Sequence, residues 1–420
     1  MDSDIRTRIA VIGGGIAGLG LALGLKRKGI DCDVYEAVSE VRELGVGITL
    51  LPHAMRELAA LGLQEKLEAV AIENLESVFF NRYGQFIYSE PRGRHAGYPL
   101  PELGIHRGKL HRIMYEEAIA ALGPQRLHTG YRCVGVEQDD NGATLRFIDP
   151  AGASRPPVRA DIVVACDGVR SAVRAQFYPG EKMAFAGINT WRGVTRHKPI
   201  LTGKSYLRIG SIDTGKMVIY PIIDQVDDDG MQLINWTTEI QGESGQMNDW
   251  NQAGSARDFA DAYKDWRFPW LDVPALIAGA EQILEYPMVD RDPVPQWTFG
   301  RVTLMGDAAH PMYPRGSNGS AQALIDGRTL AEQLALNPDP LVALKTYENL
   351  RLGTTAKIVR TNREVPPDFI IMKANELSGG KPFSHIDDLI SQDELRKIAE
   401  NYARIAGFSR DSLGGMPAPS

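Results

Sequence analysis

The chain has 420 residues, of which 43% are hydrophobic and 24% are charged, proportions typical of a globular protein of two or three domains. Acidic residues outnumber basic ones by 53 to 46, and the net charge of −7 argues against non-specific nucleic-acid binding, which needs a basic face. No apolar run reaches the roughly 18 residues of a membrane span, and the N-terminus lacks the apolar core of a signal peptide. We therefore expect a cytoplasmic protein with no membrane partner.

The three cysteines, Cys32, Cys133 and Cys166, are far apart and form no Cys-x-x-Cys pair. In this pattern they predict reduced thiols, and neither a disulfide framework nor a zinc site. We therefore expect no metal centre.

The N-terminal part of the chain predicts a βαβ unit, with a strand at 9–12, a helix at 16–28 and a strand at 32–36. Further elements alternate up to residue 165. They are a helix at 52–62, strands within 76–90 around a turn at Tyr83-Gly84, a helix at 108–122, a hairpin of strands 131–137 and 143–147 turned by Asp139-Asp-Asn-Gly142, and a strand at 161–165.

From about residue 183 to 284 the pattern becomes β-like and aromatic. Strands are predicted at 184–194, 204–209, 216–221 and 231–239, followed by a Trp-rich helix over 259–280. The aromatic residues are Trp191, Tyr206, Tyr220, Trp236, Trp250, Tyr263, Trp266 and Trp270. An aromatic sheet face suits the wall of a pocket for a flat ligand, but strands also favour aromatics for packing alone, so both interpretations stay open.

Beyond Asp307 the pattern is helical. Helices are predicted at 323–334, 341–361 and 391–405, and the last residues, 409–420, have the composition of a disordered tail.

A glycine-rich loop follows the first predicted strand and opens the first helix. Its glycines, Gly13, Gly15 and Gly18, have the Gly-x-Gly-x-x-Gly spacing that permits a tight turn, backbone approach to a pyrophosphate and close helix–strand packing. Glu36 ends the second strand, where a carboxylate accepts hydrogen bonds from an adenosine ribose. The loop therefore predicts a dinucleotide site, but it does not distinguish NAD from FAD.

Two further motifs end predicted buried strands: Asp167-Gly168, followed by Ser171 and Arg174, and Gly306-Asp307, followed by His310. Each aspartate alone could be a helix cap. Together with the single glycine-rich loop, in this order, they resemble the flavin-dependent aromatic hydroxylases of the p-hydroxybenzoate and salicylate hydroxylase family. The resemblance extends to about residue 330.

The resemblance implies an FAD site and a fold. Gly13, Gly15, Gly18 and Glu36 are expected to bind the ADP half of FAD, and Asp307 the ribityl chain. The other expected cofactor-binding residues are Arg42, Gly47, Arg107, Asp167, Gly316 and Gly319. NADH or NADPH and O2 are the implied co-substrates, reacting through a flavin C4a-hydroperoxide that hydroxylates an aromatic or heteroaromatic ring.

Two positions depart from the family pattern. The early helix opens with Pro52-His53-Ala54 where Pro-Asn-Ala is common, and Ala321 replaces the usual asparagine after Gly319. Other segments, such as Thr190-Trp-Arg-Gly-Val194 and 286–293, resemble the branch of the family that contains 5-methylphenazine-1-carboxylate 1-monooxygenase. A phenazine is therefore one candidate substrate, and whether the carboxyl group is lost stays open.

Pro314, with the backbone of residues 316–319, is expected beside the flavin, and Met312 and Tyr313 are candidates to face the pocket. An anionic substrate needs a cation, for which Arg192 and Arg208 are the candidates. Tyr220 could accept or relay a phenolic proton. We therefore assign Pro314, Tyr220 and Arg192 as candidate catalytic residues, and we name no general base.

The predicted fold is α/β (α+β overall), with a Rossmann-type FAD-binding domain, an inserted mixed β-sheet substrate domain and C-terminal helices. The FAD-binding domain comprises 1–75, 104–182 and 285–375, the substrate domain comprises 76–103 and 183–284, and 376–420 is a helical segment and tail. We expect a monomer or a homodimer. The alternatives are another flavin oxidoreductase, such as a reductase or an oxidase, and a non-catalytic prenyl-carrier-like protein of the same fold.

Overall fold

The computed structural model describes residues 8–40, 45–242, 252–364 and 369–405. Among these residues, no helix combines the length and apolar character needed to cross a membrane. The predicted tail at 409–420, together with Arg42 and Trp250, lies outside the described residues.

Within the described ranges the strands form five sheets. In chain order they are β1 (Ile9–Ile12), β2 (Cys32–Glu36), β3 (Gly47–Leu50), β4 (Ile72–Glu73), β5 (Glu76–Phe80), β6 (Phe86–Pro91), β7 (Leu103–His106), β8 (Leu127–Thr129), β9 (Arg132–Asp139), β10 (Gly142–Ile148), β11 (Val158–Ala160), β12 (Ile162–Ala165), β13 (Ala184–His197), β14 (Ser205–Ser211), β15 (Gly215–Ile223), β16 (Gln232–Gln241), β17 (Gln252–Ala253), β18 (Arg267–Phe268), β19 (Leu271–Asp272), β20 (Ala280–Asp290), β21 (Thr298–Phe299) and β22 (Val302–Leu304).

The α-helices lie mostly between the strands and after the last strand. In chain order they are α1 (Ile16–Arg27), α2 (Pro52–Ala60), α3 (Gln64–Glu68), α4 (Arg107–Leu122), α5 (Ala172–Phe177), α6 (Val273–Ala278), α7 (Gly319–Leu336), α8 (Pro340–Glu364), α9 (Phe369–Ser378) and α10 (Gln392–Ile405).

A six-stranded sheet has the order β21-β22-β12-β1-β2-β8. β1 lies near its centre and pairs in parallel with both β12 and β2, and β22 pairs in parallel with β12. All four residues of β1 are buried, as expected for a parallel strand covered on both faces. The Rossmann-type α/β prediction is confirmed by this topology.

An eight-stranded sheet has the order β17-β20-β13-β16-β15-β14-β5-β6 and is antiparallel except for the β14–β5 pair. Its outer face packs on residues 256–278 through a cluster that contains Trp191, Trp236 and Tyr263. Because side chains alternate along a strand, the residues between these point to the opposite, inner face. The sheet continues to Asp290, so the predicted domain boundary at residue 285 falls inside β20.

The predicted helix over 259–280 is wrong. That segment forms short 3₁₀ turns, the two-residue strands β18 and β19, and the six-residue helix α6. Pro269 interrupts the helical pattern, and Tyr263 and Trp266 turn inward to pack edge to face, with ring centroids 4.8 Å apart. Burial against the outer face therefore overrides the local helical preference.

The inner face is covered from two sides. The small sheet β3-β7-β4 packs against β15, since a Cβ placed on Gly104 would lie 2.5 Å from the carbonyl oxygen of Pro221 and 3.4 Å from the ring of Tyr220. At the β5–β6 edge, α9 and α10 cover Phe79 and its neighbours. The predicted helix at 391–405 is confirmed as α10, whereas α9 was not predicted.

Candidate flavin and substrate site

Four strand ends place the predicted cofactor residues at one edge of the six-stranded sheet. Gly13, Glu36, Asp167 and Asp307 stand at or just after the carboxyl ends of β1, β2, β12 and β22. The sheet order brings them side by side as Asp307, Asp167, Gly13 and Glu36. In open α/β sheets the crevice outside this edge is where ligands bind.

The glycine-rich loop has the geometry that a pyrophosphate requires. Gly13 has φ +99°, and a Cβ there would lie 2.4 Å from the carbonyl oxygen of Cys166. A Cβ on Gly18 would lie 1.9 Å from the carbonyl oxygen of Gly13, whereas one on Gly15 would meet open space. No side chain caps α1, so its N-terminal N–H groups are available to an anion in front of Gly15.

Both carboxylate oxygens of Glu36 accept backbone hydrogen bonds, and one of these comes from the glycine-rich loop. The N–H of Gly14 donates to its Oε2 at 2.6 Å and the N–H of Val38 donates to its Oε1 at 2.9 Å. Each carboxylate oxygen has a second lone pair, so ribose hydroxyls can still donate to it. On the other side of the loop, Nε2 of His111 lies 2.6 Å from the carbonyl oxygen of Gly14 and anchors the loop to α4.

The carboxylate of Asp167 accepts a hydrogen bond from the start of α5. Its Oδ2 accepts from the N–H of Ala172 at 2.9 Å, and burial raises the pKa of its carboxyl. Its buried Oδ1 has no hydrogen-bond partner among the described residues. One oxygen therefore stabilises the start of α5, although the N-cap residue of that helix is Ser171, whose hydroxyl accepts from the N–H of Arg174, and the other oxygen still needs a donor.

Asp307 differs, because its carboxylate accepts no hydrogen bond from the residues that the structure describes. The side chain is exposed, but desolvation by the surrounding protein atoms raises the pKa of its carboxyl, and only the neighbouring His310 and Arg107 oppose that effect. An acidic group that is open to solvent yet enclosed by protein lies in a crevice. A row of donors such as the ribityl hydroxyls of FAD would fit this carboxylate.

Arg174 joins the two aspartate motifs. Its side chain is fully buried, and Nη1 donates to the carbonyl oxygens of Ala308 at 3.0 Å and Ala309 at 2.7 Å. Nη2 and Nε donate to the carboxylate of Glu181 at 2.6 and 2.8 Å. The backbone that follows Asp307 is therefore held by a residue of α5.

Met312 and Tyr313 are buried and Pro314 is exposed at the start of the loop that leads into α7. Gly316 and Ser317 both have positive φ, at 76° and 52°. The positions that depart from the family pattern lie here: Ala321 is fully buried in α7, and Nε2 of His53 lies 2.8 Å from Oδ1 of Asn318. Burial lowers the pKa of His53 to about 4, so the neutral imidazole links α2 to the loop.

His310 contacts the buried ion pair formed by Asp326 and Arg351. Its Nε2 lies 2.5 Å from Oδ2 of Asp326, whose Oδ1 accepts from Nε of Arg351 at 2.7 Å. Burial opposes ionisation of the Asp326 carboxyl, but its contacts with His310 and Arg351 lower its pKa on balance. This network ties the segment after β22 to α7 and α8.

Of the remaining predicted cofactor residues, Arg107 is exposed at the start of α4, near enough to Asp307 to lower its pKa. Gly319 opens α7 close to the Asp307 carboxylate, since a Cβ on Gly319 would lie 3.9 Å from Oδ1 of Asp307. The N–H of Gly47 donates to Oδ1 of Asn235 at 2.7 Å, and a Cβ on Gly47 would lie 2.8 Å from that of Asn235. Gly47 therefore contacts the inner face of the eight-stranded sheet directly.

The predicted substrate residues lie on that inner face. Tyr220 stacks on Tyr206 with ring centroids 5.1 Å apart, and burial raises the pKa of its hydroxyl. The guanidinium of Arg208 lies 4.7 Å from the centroid of Tyr206, and that of Arg192 lies 5.0 Å from the centroid of Tyr286. Arg192 also lies close enough to Tyr220 to oppose the rise in its pKa.

Sequence reasoning missed several polar residues on the inner face. Lys216 and Glu239 form a buried ion pair, with Nζ at 3.0 and 2.9 Å from the two carboxylate oxygens, and Thr190 and Asn235 are buried beside Arg192. The available signal was their alternation with outer-face residues such as Trp191 and Trp236, which places polar groups on the side that faces the flavin domain.

Comparison with known proteins defines the class. The family described as "FAD binding domain" matches residues 6–262 and 273–362. Phenazine 1,6-dicarboxylic acid hydroxylase PhzS of Lysobacter antibioticus is 38% identical over 370 residues, which cover 87% of this chain and 91% of that protein. 3-Amino-4-hydroxybenzoate 2-monooxygenase PtmB3 of Streptomyces platensis is 35% identical, covering 87% of this chain and 89% of that protein.

Among solved structures, Klebsiella pneumoniae HpxO complexed with FAD and uric acid has a TM-score of 0.76 at 23% identity, covering 99% of this chain and all of that chain. A salicylate hydroxylase substrate complex has a TM-score of 0.72 at 20% identity, with full coverage of both chains. At these identities the likeness shows the shared fold.

The chain therefore belongs to the FAD binding domain family. Within that family it is a flavin-dependent aromatic hydroxylase, and its cofactor is FAD. The assignment made from the three sequence motifs is confirmed.

Proposed function

We propose that the protein hydroxylates a flat aromatic or heteroaromatic acid, using NADH or NADPH and O2. One oxygen atom enters the ring in place of hydrogen, or in place of a carboxyl group released as CO2, and the other leaves as water. NAD(P)H supplies the two electrons. Bound FAD supplies the chemistry of oxygen activation.

The observation that supports this proposal most directly is the mixture of guanidinium groups and aromatic rings on the inner face. Arg192 over Tyr286 and Arg208 over Tyr206 place positive charge among flat apolar surfaces in a chain of net charge −7. Such a surface suits a flat ring with an anionic substituent. The two relatives described above act, by their names, on a phenazine dicarboxylic acid and an aminohydroxybenzoate.

We assign the cofactor roles residue by residue from the geometry of the strand ends. Gly13, Gly15 and Gly18 receive the pyrophosphate, Glu36 the ribose, and Asp167 and Asp307 the flavin half of FAD, with Gly47, Arg107, Gly316 and Gly319 along its length. Arg42 is assigned by the motif alone, since it lies outside the described residues. We propose the corresponding division into an FAD domain of 1–75, 104–182 and 285–375 and a substrate domain of 76–103 and 183–284, with β20 crossing from the second to the first at residue 285.

Three residues are assigned to the reaction itself. Pro314 forms the wall beside the flavin ring and excludes water from it. Arg192 binds and orients the anionic group. Tyr220, whose burial raises the pKa of its hydroxyl, stays protonated at neutral pH and can donate a hydrogen bond to charge that develops on a substrate oxygen.

The test is oxidation of NADH and NADPH in air by the holoenzyme, with a panel of aromatic and heteroaromatic acids that includes phenazine carboxylates, followed by mass analysis of the products. One acid should accelerate oxidation and gain one oxygen, or exchange its carboxyl for hydroxyl. Oxidation that no compound accelerates, with no oxygenated product, would refute the proposal.

A matched pair of variants localises the effect. Tyr220→Phe should lower the yield of hydroxylated product per NAD(P)H, because a donor to the reacting oxygen is lost. Tyr83→Phe, at an exposed tyrosine in the turn between β5 and β6, should leave the yield unchanged. Equal yields in the two variants would remove Tyr220 from the site.

A further inference from the structure

Thr190, Arg192 and Asn235 point to the same side of the eight-stranded sheet. Trp191 and Trp236, their chain neighbours, are buried in the outer-face cluster, so strand alternation directs these three side chains to the inner face. Asn235 confirms the direction, because its Oδ1 accepts from the N–H of Gly47 on β3. The three groups therefore face the crevice between the two domains.

Each of the three residues presents a polar atom that no described residue satisfies. The side chains of Thr190 and Asn235 are 2% and 1% exposed, and Oγ1 of Thr190, Nε of Arg192 and Nδ2 of Asn235 are buried without a hydrogen-bond partner. The orientation of the Asn235 amide is fixed, because only its oxygen can accept from Gly47. An unsatisfied buried polar group costs roughly 1–3 kcal/mol, so three neighbours in this state point to a missing ligand.

The missing ligand must accept hydrogen bonds. Nε of Arg192 and Nδ2 of Asn235 can only donate, and the hydroxyl of Thr190 is able to donate. Arg192 carries a full positive charge and makes no ion pair with a described residue. A carboxylate matches such a set, since it offers about four acceptor positions and a negative charge.

The strand register keeps the three donors within reach of one group. Thr190 and Arg192 are two residues apart on β13, about 7 Å along the strand. Arg192 pairs with Thr237, so Asn235 is its diagonal neighbour on β16, again at about 7–8 Å. Arg192 thus lies between a hydroxyl donor and an amide donor.

Glu239, an acidic residue of this face, forms an ion pair with Lys216. Glu239 pairs directly with Thr190 in the register, but both its oxygens bind Nζ of Lys216. An unpaired Glu239 would compete with an anionic substrate for Arg192 and repel it. The Lys216–Glu239 pair therefore leaves Arg192 available to an external anion.

We infer that Thr190, Arg192 and Asn235 form a carboxylate-binding subsite, in which Arg192 provides the charge and the other two residues provide flanking donors. This inference rests on the proposed function, whose substrate it narrows to acids that bind through the carboxylate. The competing occupant is the flavin ring, because Gly47 lies against Asn235.

The test measures ligand binding to the oxidised holoenzyme without NAD(P)H, by perturbation of the flavin absorbance. The probes are phenazine-1-carboxylate and phenazine-1-carboxamide, which differ in the charge of one substituent. The wild type should bind the carboxylate at least tenfold more tightly. Arg192→Met should abolish this preference and leave the carboxamide affinity unchanged, and Arg192→Lys should retain part of it.

Two further variants test the flanking donors. Thr190→Val should weaken carboxylate binding three- to tenfold. Asn235→Asp keeps the acceptor for Gly47 but replaces the donor with a negative oxygen, so its loss should be larger than that of Thr190→Val. The control is Arg196→Met, at an exposed arginine of β13 that pairs with Asp227, and it should preserve the preference.

Several outcomes would overturn the inference. The first two are equal affinity of the wild type for the two probes and no binding of either probe. The third is an equal loss of affinity for both probes in Arg192→Met. The fourth is a shifted flavin spectrum in ligand-free Arg192→Met with the carboxylate preference intact, which would assign the cluster to the flavin. A carboxylate preference in an enzyme that oxygenates no acid would refute the proposed function and leave the subsite standing.

Discussion

Replacing Arg174 with Met should damage both the stability of the protein and its affinity for FAD. The methionine retains an apolar stem of similar length in a fully buried position but removes every donor. The carbonyl oxygens of Ala308 and Ala309, which Arg174 holds at 3.0 and 2.7 Å, would lose those bonds. These carbonyls belong to the two residues after Asp307. Without their hydrogen bonds, the backbone that positions the Asp307 carboxylate in the crevice is held less firmly.

The size of the effect follows from what remains satisfied. Two buried carbonyls without donors cost roughly 1–3 kcal/mol each. Glu181 is not left alone, because Nη1 of Arg291 still donates to its Oε2 at 2.8 Å. Removing one partner of a buried ion pair costs roughly 3–5 kcal/mol when the other charge is left unpaired. Because Glu181 keeps a partner, this cost does not apply in full. We expect a destabilisation of about 3–4 kcal/mol, and at least a tenfold rise in the FAD dissociation constant.

Urea unfolding followed by circular dichroism, together with FAD titration of the apoprotein, measures both quantities. Arg174→Lys should fall between the wild type and Arg174→Met, because one ammonium cannot span all the acceptors. The control, Arg146→Met, removes an exposed pair with Glu137 and should change stability by less than about 0.5 kcal/mol. A change below about 1 kcal/mol in Arg174→Met, with unaltered FAD affinity, would refute the reasoning.

Three further predictions concern the cofactor crevice and its surroundings. Asp307→Ala should raise the FAD dissociation constant about ten- to a hundredfold, which corresponds to the loss of a hydrogen bond to a charged group. Asp229→Ala, at an exposed turn, should leave it unchanged. Equal FAD dissociation constants for the two variants would contradict the assignment. Gly18→Ala, whose Cβ would lie 1.9 Å from the Gly13 carbonyl oxygen, should purify without flavin absorbance, whereas Gly24→Ala on the same helix, with its nearest contact at 3.5 Å, should retain it. For His53, burial lowers the pKa from 6.5 to about 4, so the unfolded chain binds the proton more readily and stability is lost as pH falls from 6.5 towards 4. This pKa difference makes the free energy of unfolding fall by about 3 kcal/mol between neutral pH and pH below 4, and His53→Asn should remove that fall. An unchanged slope of unfolding free energy against pH would show that His53 does not cause it.

The local signals of the site could be read from the sequence because backbone geometry imposed them. Gly13 and Gly18 must be glycine, since the Cys166 and Gly13 carbonyls occupy the space of a side chain. Short apolar runs ending in Gly-Asp or Asp-Gly predicted buried strands, and β12 and β22 are confirmed at those positions. The family resemblance then supplied the cofactor, which spacing alone left undecided between NAD and FAD.

Local patterns failed where long-range packing determined the conformation. The 259–280 segment has helical character, but burial of Tyr263 and Trp266 against the outer face holds it in turns and short strands. No local feature announced the His53–Asn318 contact, which joins residues 265 positions apart, or the Gly47–Asn235 bond, which joins residues 188 apart.

The sequence by itself therefore determined the class of fold, the order of its motifs and the glycine-rich loop, because each depends on residues that are neighbours in the chain. Only the tertiary structure decided which polar groups meet. It separated Asp167, which stabilises a helix, from Asp307, which stands open in the crevice, and it placed Thr190 and Asn235 beside Arg192. The physical reason is that a hydrogen bond needs both partners at about 3 Å, and strand pairing across the whole chain sets that distance.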